Sequence, residues 1–214
     1  MTRFNTVIFD VDSTLSGVEG IDWLAARRGP EIAAWSVGLT EKAMAGEIPI
    51  EAVYSERMRL VKPTLPEIQE LGKVYVEHMA TGAAETIVAL RAQDVEVIMV
   101  SGGLREAILP LARELGMGEK NLYAVSVFFG EDGEYAGFDD ASLLTRQSGK
   151  RTTVGQMHLK GPILAVGDGM TDLEMKSVVQ SFVAFTGFTR REAVVSQADF
   201  VVENFDQLRD LILK

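Results

Sequence analysis

No cysteine occurs among the 214 residues. Disulfides, thiolate nucleophiles and cysteine-ligated zinc are thereby excluded, and the chain fits a reducing compartment such as the cytoplasm. Histidine is nearly as scarce. His78 and His158 are the two present; neither has a neighbour at ligand spacing, so both read as structural or surface residues. Basic residues are the minority charge, 21 Lys and Arg against 31 Asp and Glu, for a formal net charge of −10. A phosphate backbone needs clustered positive charge, so nucleic acid is a poor match. No apolar run approaches the ~18 residues of a membrane span. Nothing resembling an apolar leader precedes the first strand pattern at Thr6. The expected partner is a small molecule. If it is anionic, local cations must overcome the acidic field of the whole chain. Oligomeric state is not legible.

What is present is 47% hydrophobic, enough for a full core. Thr6–Phe9 reads as a short buried strand. From Ser16 to Met79 the pattern is helical, in stretches Ile21–Arg28, Glu31–Gly46, Ile50–Val61 and Pro66–Met79. Gly29-Pro30, Pro49 and Pro63 punctuate them. Thr64 and Glu67 have capping-box spacing, with Pro66 in the first turn. Trp23 and Trp35 sit at helical spacing and read as core. Beyond Thr81-Gly82, strand and helix alternate. The strands are Val95–Val100, Ile163–Val166, Ser181–Phe185 and Phe200–Val202. Helices are expected at Glu85–Arg91, Arg105–Leu115, Lys150–Leu159, Asp172–Val179 and Phe205–Leu213. Leu122–Phe129 and Glu134–Phe138 flank Asp132-Gly133, a hairpin signal. Such alternation predicts a doubly wound, mostly parallel α/β sheet. Residues 1–15 and 80–214 form the expected core. Residues 16–79 form an inserted helical-bundle cap over the carboxyl edge of the sheet.

Three clusters follow buried-strand patterns: Asp10-Val11-Asp12-Ser13-Thr14, Ser101-Gly102-Gly103 and Gly167-Asp168-Gly169-Met170-Thr171-Asp172. Open α/β sheets bind ligands beyond the carboxyl ends of their strands, so these distant segments should meet in one crevice. Asp10 and Asp12, two apart in extended chain, face the same way. One can attack while the other moves protons. Asx-turn or N-cap roles explain one acid comfortably, but not four in one crevice. Ser101-Gly102-Gly103 is expected to open a helix and offer a hydroxyl and amides to an anion. Oxygen-only ligands suit Mg²⁺. Lys150, at a predicted helix start, would oppose the helix dipole unless its charge is used.

Together, Asp-x-Asp-Ser-Thr, Ser-Gly-Gly, a later Lys and Gly-Asp-Gly-x-x-Asp resemble the four motifs of the haloacid dehalogenase superfamily. Glu19-Gly20-Ile21-Asp22, Lys42-Ala43-Met44-x-Gly46, Glu56-Arg57 and Gly133-Glu134-Tyr135-Ala136-Gly137-Phe138 are similar to its phosphoserine phosphatase branch. The resemblance runs from about residue 4 to residue 210. It implies a Rossmann-like core and a Mg²⁺-dependent hydrolysis of O-phosphoserine, the last step of serine synthesis. Asp10 would carry the phosphoryl group and Asp12 would act as acid, then base. Mg²⁺ would lie on Asp10, Asp168 and the Asp12 backbone carbonyl, with Asp172 behind. Ser101, Gly102, Lys150 and Thr171 would contact substrate phosphate or its surroundings. Glu19 and Arg57 would take the ammonium and carboxylate. Met44 would line an apolar wall beside Ile50, which stands where members often have an aromatic. Arg191 is open between a substrate-carboxylate contact and an exposed charge. Another phosphatase or phosphotransferase of the superfamily is the alternative function. A phosphoacceptor signalling domain lacks both the second acid and a helical cap. A catalytically dead binding module would not need every catalytic residue type.

Overall fold

Thr6–Phe9 is strand β1, buried along its whole length. This is what a parallel strand covered on both faces requires, and it explains a run with no polar alternation. In the computed structural model, residues 4–45, 47–48 and 51–214 are described, Glu51 and Ala52 through their backbone only. Four helices follow β1: α1 (Gly20–Ala26), α2 (Pro30–Met44), α3 (Glu51–Val61) and α4 (Leu65–Glu77). Helix α4 starts with the anticipated capping box. The Thr64 hydroxyl accepts from the Glu67 amide and the Glu67 carboxylate accepts from the Thr64 amide.

The remaining elements are α5 (Ala83–Arg91), β2 (Glu96–Leu104), α6 (Arg105–Glu114), β3 (Leu122–Val125), β4 (Val127–Phe129) and β5 (Tyr135–Phe138). After them come α7 (Gly149–Gly155), β6 (Ile163–Gly167), α8 (Met170–Leu173), β7 (Ser181–Phe185), α9 (Glu192–Val195), β8 (Phe200–Val202) and α10 (Phe205–Leu213). The sheet runs β3-β2-β1-β6-β7-β8, all parallel. The chain builds outward from β1 on one side, then returns to build on the other. That reversal is the topological switch point where such sheets open a crevice. Beneath it, Phe205 packs on Phe9 and Phe185, ring centroids 6.0 and 5.1 Å apart.

Register aligns the clusters. Phe9 lies opposite Met99 on β2 and Val166 on β6. Asp10 stands one residue beyond this level and Ser101 and Asp168 two beyond it, so all three gather at the carboxyl edge of the sheet.

Several expectations need correction. Ser101-Gly102-Gly103 does not open a helix; β2 continues through it to Leu104, and α6 begins at Arg105 with no side-chain cap. Pairing of β2 with β3 resumes at Leu104 after a register shift, which keeps the backbone extended. Leu122–Phe129 is two strands. β3 joins the parallel sheet, and only β4 pairs antiparallel with β5 as the hairpin. Helix α9 went unanticipated. The stretch from Asp172 is a short α-helix followed by a 3₁₀ turn at Glu174–Ser177, and α7 stops at Gly155. Trp35 is exposed, not core, whereas Trp23 is partly buried with the Arg27 guanidinium over its ring. Gly46, Pro49 and Ile50 lie outside the described residues.

Candidate active site

Asp10, Asp12, Glu19, Met44, Arg57, Gly102, Lys150, Asp168 and Thr171 line one cleft between the carboxyl edge of the sheet and helices α1–α3. It encloses about 650 Å³ of space, including its open mouth. Ser101 and Asp172 are fully buried just behind. Gly20, Ile21, Thr40, Tyr54, Leu144 and Arg146 complete the wall. The helices close over the sheet through specific contacts. The Tyr54 hydroxyl donates to the Gly102 carbonyl at 3.0 Å. A Cβ on Gly169 would sit 2.7 Å from the Met44 sulfur, so the two surfaces touch.

Lys150 is positioned by the start of α7. Its ammonium donates to Asp10 Oδ1 at 2.5 Å and to Asp172 Oδ1 at 2.7 Å. Burial alone would lower this amine; the two carboxylates outweigh it and hold it above its ordinary value. Asp172 in turn accepts from the Gly169 amide at 3.0 Å, which fixes the turn it belongs to. Burial lifts Asp10 and Asp168 well above the carboxylate range. For each, the charge of Asp172 pushes the same way.

Asp12 is held apart from this group. Its Oδ1 accepts from the Gly20 amide at 2.8 Å and the Tyr75 hydroxyl at 2.6 Å. Its Oδ2 accepts from the Ser101 hydroxyl at 3.3 Å. A Cβ on Gly103 would fall 2.8 Å from Oδ2, so only glycine leaves that oxygen its room. Burial raises Asp12 while the Tyr75 and Gly20 donors pull it back.

Glu19 accepts from the Ser13 hydroxyl at 2.7 Å, and burial beside Asp12 pushes its carboxyl up to about 7. Arg57, expected to take the substrate carboxylate, is already braced. Its Nη2 donates to Asp22 Oδ1 at 2.7 Å and its Nε to Ser36 Oγ at 3.1 Å. Ser36 also donates to Asp22, at 2.5 Å. Arg191 is buried, not an exposed charge: it pairs with Asp168 and lies 3.7 Å from Glu41. Among the described residues, its Nε has no hydrogen-bond partner, and neither do the buried hydroxyls of Thr171 and Thr40.

Asp10, Asp168 and Asp172 each offer an oxygen within 4.8 Å of the others'. Around this cluster the three acids Asp10, Asp168 and Asp172 are paired with two basic groups, Lys150 and Arg191. An oxygen-only donor set with surplus negative charge fits a hard divalent cation such as Mg²⁺.

A family model for haloacid dehalogenase-like hydrolases matches residues 7–176. The chain belongs to this family. Within these hydrolases, it is 36% identical over 209 residues to a chloroplastic phosphoserine phosphatase of Arabidopsis thaliana, covering 94% of this chain and 70% of that one. It is 33% identical over 208 residues to a phosphoserine phosphatase of Homo sapiens, covering 95% and 91%. A crystal structure of a phosphoserine phosphohydrolase-like protein from Francisella tularensis superposes with a TM-score of 0.87. It is 26% identical and spans 98% of this hydrolase and 100% of that chain.

Sequence reasoning missed Asp22, Ser36 and Tyr75 as members of the site's surroundings. Asp22 and Arg57 are 35 residues apart, and no local pattern pairs them. Among the described residues, no helix is long and apolar enough to cross a membrane.

Proposed function

We propose that this hydrolase converts O-phosphoserine to serine and phosphate through an aspartyl-phosphate on Asp10, as the last step of serine synthesis. The observation that carries the reading is the cleft itself. Asp10 with its Lys150 partner lies on the sheet side, and Glu19 and Arg57 face it from the helical side. A molecule bearing phosphate, ammonium and carboxylate matches that charge order. In this reading, residues 16–79 act as a cap domain over a core of residues 1–15 and 80–214.

Asp10 attacks phosphorus, the bond from phosphorus to the serine oxygen breaks, and Asp12 gives that oxygen a proton. Asp12, now a carboxylate, takes a proton from the water that attacks the aspartyl-phosphate; Asp10 and phosphate are released. Ser101, the Gly102 amide and Lys150 hold the phosphoryl oxygens, and Thr171 borders them. Met44 packs against the substrate's carbon chain. Mg²⁺, on Asp10, Asp168 and the Asp12 carbonyl with Asp172 in support, would neutralise charge on the transferring group. Asp172, which accepts from both the Lys150 ammonium and the Gly169 amide, keeps Lys150 aimed at Asp10.

Acid-quenching the enzyme during turnover of ³²P-phosphoserine should leave label on Asp10, located by peptide mapping. Asp10→Asn should lose both label and turnover. Label on another residue, or none with turnover intact, would defeat the assignment. A panel of phosphate esters then tests the substrate.

A further inference from the structure

We propose that Tyr75 is a positioning residue for the proton-transfer step: with the Gly20 amide it occupies Oδ1 of Asp12 and reserves Oδ2 for the reacting oxygens. The inference rests on the phosphatase reading above and deepens it. Tyr75 is fully buried on α4, 63 residues from Asp12 along the chain, yet its hydroxyl reaches Asp12 at 2.6 Å. The Gly20 amide, at the first residue of α1, donates to the same oxygen at 2.8 Å. Two donors saturate Oδ1. The other oxygen, Oδ2, has one hydrogen-bond donor among the described residues, the Ser101 hydroxyl at 3.3 Å, on the side of the phosphate-binding residues. Two donors on Oδ1 disfavour a proton there, so the acid form carries its proton on Oδ2, the oxygen that meets the substrate.

The fit around the hydroxyl is tight. A Cβ on Gly20 would lie 2.1 Å from it, so a glycine is what lets the ring reach through. The ring's own helix is anchored to the core. The Ser16 hydroxyl donates to the Tyr75 carbonyl at 3.0 Å. Gly72, one turn earlier, meets α6 so closely that a Cβ would sit 2.8 Å from Pro110 and 3.3 Å from the Ala107 carbonyl. The hydroxyl therefore has a fixed origin from which to hold Asp12.

The test uses the full chain and two esters with different leaving groups. Serine leaves as an alkoxide that needs a proton; p-nitrophenolate is a stable anion that does not. General acid assistance is commonly worth hundredfold or more, and one hydrogen bond to a charged group about tenfold. For Tyr75→Phe, kcat/KM on phosphoserine should fall about tenfold and on p-nitrophenyl phosphate less than about twofold. In an Asp12→Asn background, Tyr75→Phe should add nothing further on phosphoserine. Equal losses on both esters, no loss on phosphoserine, or an undiminished loss in the Asp12→Asn background would each overturn the inference while the phosphatase reading stood. Wild-type protein that cleaves no phosphoserine would instead defeat that reading, and this one with it.

Discussion

Glu19 shows how one side chain can serve binding at the expense of stability. Its carboxyl titrates near 7 in the folded protein against 4.5 ordinarily, because it is buried beside Asp12. A raised acid binds protons more tightly in the folded state. Its cost is therefore absent below about pH 4.5, grows as pH rises to 7, and is constant above, at about 3 kcal/mol. Glu19→Gln should be more stable than wild type at pH 8 and equal to it near pH 4, by denaturant unfolding at both. In the proposed function the same substitution should raise KM for phosphoserine. An unchanged pH dependence of stability would show that Glu19 is not the burdened group. This is also the scale at which the sequence is most and least legible. Asp10, Asp12 and Asp168 stand out because acids directly after fully buried strands are costly without a use. Tyr75 does not, since its place in the helical repeat with Ile68 and Leu71 reads as ordinary core. The burial of Arg191 is equally silent, being created by Asp168, 23 residues away, and by Glu41 on another element.

Among the elements, the start of α4 is legible to within one residue, because its signal is local. Thr64, Pro66 and Glu67 carry the capping information within four positions. Thr64→Ala removes the acceptor for the Glu67 amide and should cost about 1 kcal/mol of unfolding free energy. Activity should stay near wild type, because the turn bearing Tyr75 is held independently against α6. A loss of activity larger than the loss of stability would show that the cap of α4 controls the placement of Tyr75. The bounds expected for β1, β7 and β8 are those observed, but the end of β2 is not legible. β2 passes through Ser101-Gly102-Gly103, residues that locally favour a turn, because tertiary pairing with β3 continues beyond them. Local chemistry argued for a helix cap there, and the sheet prevailed. The consequence is favourable for the site: Ser101 is fully buried within β2, with its hydroxyl accepting from the Gly103 amide at 2.9 Å.

For the whole molecule, the parallel fold followed from strand and helix alternation, and the sheet order from β1 outward explains why residues 10, 101 and 168 meet. That meeting concentrates negative charge, and its relief should be measurable. Without a divalent cation, Asp10 and Asp168 hold protons well above the ordinary range. Such groups destabilise progressively as pH rises through and beyond their usual value, the same sign as for Glu19. At a hundredfold excess over Kd, Mg²⁺ should add about 2.7 kcal/mol, raising Tm by about 5 to 10 °C. The increment should be larger at pH 8 than at pH 5, and EDTA should reverse it. A Tm indifferent to Mg²⁺ at both pH values would remove the cation from the acidic cluster.

The chain leaves the sheet side and comes back to it at a single place. Ser16 and Met79 pair antiparallel; the Gly17 amide donates to the His78 carbonyl at 3.0 Å, and the Ala80 amide to the Leu15 carbonyl at 2.9 Å. Across such a pair the two backbones lie about 5 Å apart. Any segment whose own ends meet at that spacing could be grafted there without reshaping β1 or α5. A segment grafted in place of residues 17–78 would leave Asp10, Lys150 and Asp168 where they are but would take away the Gly20 and Tyr75 donors to Asp12, so it would have to bring its own pair for that carboxylate.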